Sequence, residues 1–117
     1  MNAPVTIYTA SFIWEPGEYD AEFHRLNAII GEVAQAMPDY LGAESWHAAE
    51  GRRGCVVYYW RDLQALQTFA RHPAHQQAKR EYRRWYRGYH IVIGQVLRAY
   101  GDGALPHLVP DERAGRR

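Results

Sequence analysis

The sequence predicts one α+β domain in which helices cover one face of a four-stranded antiparallel sheet. A chain of 117 residues suits a single domain. Strand-like and helix-like patterns follow in the order strand, helix, strand, strand, helix, strand, with no repeat and no interior linker. Because connections between parallel strands are nearly always right-handed, both helical crossovers should lie on the same face. The domain is expected to span residues 1–101, followed by an irregular tail at 102–117.

The first half of the chain carries the clearest helical pattern. Residues 5–14 are rich in β-branched and aromatic types and predict a strand. After Pro16 and Gly17, apolar side chains recur every three or four residues through 18–37, which places them on one stripe of a helix that ends at Pro38. The stripe consists of Tyr19, Phe23, Leu26, Ile30, Val33 and Met37.

The second half of the chain predicts three strands and further helices. Asp62 suits the N-cap of a short helix, and Pro73 suits the first turn of the next one. On the helix after Pro73, His75, Tyr82 and Trp85 share one face, whereas the basic side chains lie largely elsewhere. The predicted elements are strands at 40–49, 54–61 and 89–100 and helices at 62–71 and 73–87.

Apolar side chains occupy both faces of the predicted sheet. The helices can cover only one face, and a solvated face should alternate with polar residues. An uncovered apolar face of this size is typical of an interaction site, so we predict a symmetric homodimer, sheet against sheet. The opposed sets are Cys55, Val57 and Tyr59 against Val56, Tyr58 and Trp60, and Tyr89, Ile91, Ile93 and Leu97 against Val92, Val96 and Tyr100.

Composition and charge exclude several function classes. The formal net charge is +1, from 14 basic and 13 acidic side chains, so no overall field attracts nucleic acid or an anionic membrane. Glu81 interrupts the basic run at 79–87, which is interpreted as a solvated face. No uncharged stretch approaches the roughly 20 residues of a membrane helix, and residues 1–5 lack the start of a signal peptide. Cys55 is the only cysteine, so no disulfide forms within the chain and a cytoplasmic location is expected.

The sequence lacks the common motifs of nucleotide-binding and metal enzymes. No GxGxxG follows the first strand, and there is no phosphate loop, HExxH or CxxC. His72 and His75 are three residues apart, but a metal site needs three or four ligands. We therefore expect neither a bound cofactor nor a metal ion.

Three stretches of the sequence resemble the antibiotic biosynthesis monooxygenase superfamily. They are EPGEYDAEFHRLN, PDYLGAESW and VVYYWRDLQALQTFARHPAHQQAKREYRRWYRGYHIVIGQVLRAYG, which together span most of residues 14–101. The resemblance implies a ferredoxin-like fold and a dimeric α+β barrel. The superfamily contains quinone-forming monooxygenases, haem-degrading enzymes and many proteins with no assigned reaction, so the fold does not by itself fix the reaction.

The haem-degrading members suggest one alternative function. They pair a tryptophan with a histidine ten residues later that ligates iron, and the matching positions here are Phe69 and Lys79. A protonated lysine has no lone pair to offer iron. His75 lies one helical turn before Lys79, so it remains an alternative as an iron ligand at a displaced position.

The leading hypothesis that the resemblance implies is a cofactor-independent monooxygenase acting on a small aromatic or polyketide-like compound. His75 is the candidate catalytic residue, because a neutral imidazole can accept a proton from a phenol or enol. The alternative for His75 is a half-buried helix histidine that satisfies a backbone group. The candidate substrate-binding residues are His47, Tyr58, Trp60, Phe69, Tyr82 and Trp85.

A ligand-binding or stress-response dimer without catalysis remains the alternative function. Aromatic side chains at strand or helix spacing suit a core as well as a ligand cage. A cavity on the order of several hundred Å³ with His75 inside it would favour the enzyme. A core sealed by Trp85 and Phe69 would favour the non-catalytic dimer.

Overall fold

The computed structural model describes residues 6–111, which form a four-stranded antiparallel sheet with helices on one face. The strands are β1 (Tyr8–Pro16), β2 (Tyr40–His47), β3 (Gly54–Trp60) and β4 (Tyr86–Gln95), and the helices are α1 (Ala21–Gln35), α2 (Leu63–Ala70) and α3 (Pro73–Arg80). Short 3₁₀ turns at Ala49–Gly51 and Tyr82–Arg84 precede β3 and β4. The sheet order is β2-β3-β1-β4, so β2 and β4 are its edges. This arrangement confirms the predicted ferredoxin-like α+β fold. None of the helices within the described residues is long and apolar enough to cross a membrane.

The helices bury their face of the sheet in two apolar clusters. One cluster joins Trp60 of β3 to Leu66 and Phe69 of α2. The other lies between α1 and the end of the helical layer, and its buried members are Leu26, Ala74 and Trp85. The apolar stripe predicted for α1 therefore faces inward, as its period of three and four residues requires.

Asp20 begins α1 and ties it to the segment before β4. Its Oδ1 accepts hydrogen bonds from the N–H of Phe23 at 2.9 Å and from Nε1 of Trp85 at 2.9 Å, and Oδ2 pairs with Arg84 at 3.0 Å. The backbone hydrogen bond from Phe23, aided by Trp85 and Arg84, holds the pKa of Asp20 below its usual value. The N-cap of the first helix thus also positions a buried tryptophan far along the chain.

The last helix ends earlier than predicted. The pattern of apolar residues predicted a helix over 73–87, but α3 ends at Arg80 and a 3₁₀ turn follows. From Tyr86 the chain pairs with Pro16 of β1, and the N–H of Gly17 donates to the carbonyl of Trp85 at 2.7 Å. The 3₁₀ turn and the start of the pairing with β1 therefore take the place of residues 81–87 of the expected helix.

Strands β4 and β1 also differ in extent from their predicted ranges. β4 pairs only with β1, and that ladder ends where Tyr8 faces Gln95. Beyond Gln95 the N–H of Val96 donates to the carbonyl of Ile7 at 2.8 Å, but β4 ends at Gln95 and the predicted extension of the strand to residue 100 does not form. β1 itself runs two residues past the predicted range of 5–14, whose first residue lies outside the described part of the chain.

The face of the sheet opposite the helices is partly covered by the chain that follows β4. Val109 packs against Ile7 and Tyr59. Nε2 of His107 lies 2.8 Å from Oε1 of Glu44, which also accepts a hydrogen bond from the hydroxyl of Tyr59. Nδ1 of His107 accepts the N–H of Val109 at 2.9 Å, so both ring nitrogens of His107 are engaged. These contacts fasten an otherwise irregular segment to β2 and β3.

Gly42 allows this segment to lie close to β2. Its φ of +132° is a conformation that residues with a side chain rarely adopt, and it adjoins an irregularity in the pairing of β2 with β3. A Cβ at this position would meet the side chain of Leu108 at 3.2 Å. The absence of a side chain at Gly42 therefore permits both the irregular backbone of β2 and the close contact with Leu108.

Candidate functional site

A cavity of about 410 Å³ lies between the sheet and the helices. Its floor is formed by alternate residues of β1, β3 and β4, which point toward the helices. Its walls come from α1, α2 and α3, and its lining is mainly apolar and aromatic. This size and lining are typical of sites that enclose a small organic ligand. The floor residues are Ala10, Phe12, Tyr58, Trp60, Ile91 and Ile93.

The first turn of α3 places His75 in the wall of the cavity. The helix begins at Pro73, and Nδ1 of His72 accepts the N–H of Ala74 at 3.1 Å as the capping interaction. The ring of His75 stands edge-on to Phe69, with the centroids 5.0 Å apart. Its Nδ1 is buried and makes no hydrogen bond to another residue in the range 6–111. A buried polar atom without a partner is uncommon, since leaving it unpaired is costly.

Burial keeps His75 neutral. Desolvation, assisted by the positive charge of Lys79, lowers the pKa of His75 from 6.5 to about 4. At neutral pH the imidazole therefore carries one proton and one free lone pair, and it can accept a hydrogen bond. The same low pKa makes His75 a weaker base than an exposed histidine.

Two aromatic residues of β3 form the inner part of the cavity. Trp60 is 0% exposed and packs against Phe69, with ring centroids 5.2 Å apart. Its Nε1 is a second buried polar atom without a hydrogen-bond partner among the described residues. Burial raises the pKa of the neighbouring Tyr58 to about 12, so its hydroxyl stays protonated and can donate. The cavity lining therefore offers few hydrogen-bond donors and acceptors, and apolar side chains lie between them.

Tyr82 lies in the 3₁₀ turn after α3 and lines the cavity beside Tyr89. Their rings meet edge-on with centroids 4.9 Å apart, and Nε of Arg83 donates to the Tyr82 hydroxyl at 3.1 Å. Tyr89 is exposed, as are Ile91 and Ile93 farther along β4. The opening of the cavity therefore lies over the edge strand β4, which the helices do not cover.

Five of the seven residues predicted for the site line this cavity, and two do not. His47 is exposed at the end of β2, where its ring contacts Trp14 edge-on at 5.7 Å. Trp85 is buried in the cluster with Leu26 and Ala74, because the helix expected to carry it beside His75 ends at Arg80. The five that line the cavity are His75, Tyr58, Trp60, Phe69 and Tyr82.

Lys79 and Asn27 line the cavity but were not predicted to do so. Lys79 was assigned to a solvated basic face, although it follows His75 by four residues and thus lies on the same side of the helix. That spacing could have identified it. Asn27 follows Leu26 of the α1 stripe, and no local pattern marks it as part of a site. No group of three or more His, Cys, Asp or Glu side chains suited to a metal ion occurs within residues 6–111.

Comparison with known proteins places the chain among monooxygenase-like proteins. The family described as "Monooxygenase af470-like" matches residues 8–94. The "Uncharacterized protein YqjZ" of Bacillus subtilis is 32% identical over 92 residues, which cover 78% of this chain and 80% of that protein. The family match extends over the sheet and the helices that enclose the cavity.

Solved structures share the fold at low sequence identity. SnoaB, a cofactor-independent oxygenase from Streptomyces nogalater, superposes with a TM-score of 0.63 at 10% identity, covering 82% of this chain and 97% of its own. A ferredoxin-like dabb family protein from Mesorhizobium loti gives a TM-score of 0.54 at 11% identity, with coverages of 75% and 94%. These likenesses concern the fold alone. On the match over residues 8–94, the chain belongs to the monooxygenase af470-like family, of the antibiotic biosynthesis monooxygenase type.

Proposed function

We propose that this protein is a cofactor-independent monooxygenase that oxidises a small aromatic or polyketide-like compound. The observation that carries the proposal is a largely aromatic cavity with the neutral His75 in its wall, in a chain of a monooxygenase-like family. The oxygenase description of SnoaB, a protein of the same fold, supports the reaction class. The cavity volume favours a ligand site over a sealed core.

In the proposed reaction the substrate supplies all the electrons. A phenol or enol hydrogen-bonds to His75 and gives its proton to the imidazole, and the resulting anion passes one electron to O₂. The substrate radical and superoxide then combine to form a carbon–oxygen bond, and the proton returns from His75 to the peroxide to give a hydroperoxide. Loss of water from a hydroperoxide on a CH₂ carbon leaves a ketone, so an anthrone and one O₂ give one anthraquinone and one H₂O. Trp60, Phe69 and Tyr58 hold the ring system and exclude water.

The test is oxygen uptake with a set of anthrones and naphthols in the presence of a chelator. We expect quinone to form with one O₂ consumed per molecule of product. His75→Ala should lower kcat/KM by about tenfold, less than the usual range for a general base because its pKa is already low. His24→Ala removes an exposed histidine of α1 as the matched control. Full turnover by His75→Ala would remove His75 from the mechanism, and a bound aromatic metabolite in native mass spectrometry without any turnover would favour the non-catalytic dimer.

We further propose that the protein is a homodimer through the face of the sheet opposite the helices. The segment after β4 leaves part of this face open, with Trp46 55% and Val92 48% exposed. Leu97 and Leu105 in that segment are exposed as well. An apolar patch that extends from a sheet onto the adjoining segment suits a second copy of the same chain.

The dimer is tested by light scattering after size-exclusion chromatography. We expect twice the chain mass of 13.6 kDa for the wild type and a shift toward the monomer for Val92→Lys. Ile93→Lys is the matched control, because Ile93 is equally exposed, at 53%, but faces the cavity side of the sheet. A wild-type monomer, or an equal effect of both substitutions, would contradict this interface.

A further inference from the structure

The described lining of the cavity carries a positively charged side chain without a negatively charged one to balance it. Lys79 is its one ionised side chain at neutral pH, and neither aspartate nor glutamate is found among the described residues that line it. The remaining polar groups are hydroxyls, amides and the neutral His75. A cation beside a wall of low polarizability attracts an opposite charge more strongly than it would in open water. The cavity therefore favours ligands that carry a negative charge.

Lys79 is free to make that interaction. It takes part in no ion pair within residues 6–111, whereas Arg84 nearby is paired with both Asp20 and Glu81. Lys79 is exposed and lines the cavity, and it follows His75 on α3 by one helical turn. The positive charge is close enough to the imidazole to act, after desolvation, as a cause of its lowered pKa. A ligand anchored at His75 would thus lie within reach of Lys79.

We infer that Lys79 is a specificity-determining residue that selects planar aromatic anions for the cavity between the sheet and the helices. The negative group is an ionised phenol, enol or carboxylate on a fused-ring body of two or more rings. This inference deepens the proposed function and rests on its assumption that the cavity is the ligand site. In the proposed reaction the ammonium group stabilises the substrate anion, and His75 accepts a hydrogen bond from the protonated form.

The experiment compares 2-naphthoate with 2-naphthamide, which have the same ring system and differ in charge. Binding is measured by isothermal titration calorimetry on the full chain without any reaction. The wild type is expected to bind the carboxylate about tenfold more tightly than the amide, as for a hydrogen bond to a charged group. Lys79→Gln should bring the two affinities within about twofold of each other, and Lys79→Arg should retain most of the preference.

Arg80→Gln is the matched control. Arg80 adjoins Lys79 on α3, is exposed and is not part of the described cavity lining, so its loss removes one positive charge from the surface and none from the site. The preference for the carboxylate is expected to persist in this variant. Equal affinities of the two probes for the wild type, or an equal loss in Arg80→Gln and Lys79→Gln, would overturn the inference. Unchanged melting temperatures of the variants show that folding is not the cause.

The two proposals fail in different measurements. A preference for the anion that depends on Lys79, without oxygen uptake for any tested compound, would leave this inference standing and reject the oxygenase. Turnover of a phenol by the wild type with no preference between the naphthalene probes would reject the role of Lys79 and leave the oxygenase standing. Neither result depends on knowing the natural substrate.

Discussion

Replacement of Trp60 by alanine is expected to lower the free energy of unfolding by about 3–5 kcal/mol. Trp60 is 0% exposed and joins β3 to α2 through its contact with Phe69, so its removal leaves a large void in the main apolar cluster. The void would merge with the cavity beside it, and neighbouring side chains could close it only by giving up their own contacts. Urea unfolding followed by circular dichroism measures the loss.

Trp60→Phe is the control that separates packing from hydrogen bonding. The buried Nε1 of Trp60 has no partner among the described residues, so phenylalanine loses volume but no hydrogen bond. We expect a loss of at most about 2 kcal/mol for this variant. If Trp60→Phe proved as destabilising as Trp60→Ala, an unseen hydrogen bond of the indole would be implied. A loss below about 1 kcal/mol for Trp60→Ala would show that Trp60 does not support the core.

His75 is expected to make the protein less stable by about 2 kcal/mol at pH 5 than at pH 7. Its pKa is about 4 in the folded protein, against 6.5 for an unburied histidine. Between these values the unfolded chain binds a proton that the folded protein excludes, so the free energy of unfolding falls as the pH decreases. Above pH 6.5 His75 is neutral in both the folded and the unfolded chain, so it does not change the free energy of unfolding. Below about pH 4 it is protonated in both, and the free energy of unfolding has lost the whole contribution.

The contribution of His75 is isolated by comparing the wild type with His75→Gln in urea unfolding at both pH values. The wild type should lose about 2 kcal/mol more than the variant between pH 7 and pH 5. His24→Gln removes one exposed imidazole from α1, and we expect it to keep the wild-type dependence. Identical pH dependence in His75→Gln and the wild type would mean that the imidazole is hydrated in the folded protein. This measurement needs no substrate, so it tests the site independently of the reaction.

Local patterns predicted the elements of the fold well where one face of each element is buried. The stripe from Tyr19 to Met37 predicted α1, whose observed bounds differ by three residues at the start and two at the end. The end of α3 could not be predicted in this way, because the helical spacing of His75, Tyr82 and Trp85 continues past it. The pairing of Tyr86 with Pro16 joins positions seventy residues apart, and no local pattern encodes it.

The same distinction applies to the site. Alternation along β3 correctly brings Tyr58 and Trp60 to one face, and the period of α3 brings His75 above them. Trp85 lies outside the cavity because the helix expected to carry it beside His75 ends at Arg80, and His47 lies outside it because β2 does not contribute to the described cavity lining. Lys79 was overlooked because a long basic side chain can follow an apolar wall with its stem while its charge remains in water.

The position of β4 at the edge of the sheet has a consequence for handling the protein. One side of this strand is bonded to β1, and on the other side no strand of residues 6–111 pairs with the backbone of Ile91, Val92 and Ile93. These three consecutive apolar residues carry no charge that would discourage a foreign strand, so β4 can template intermolecular sheet growth.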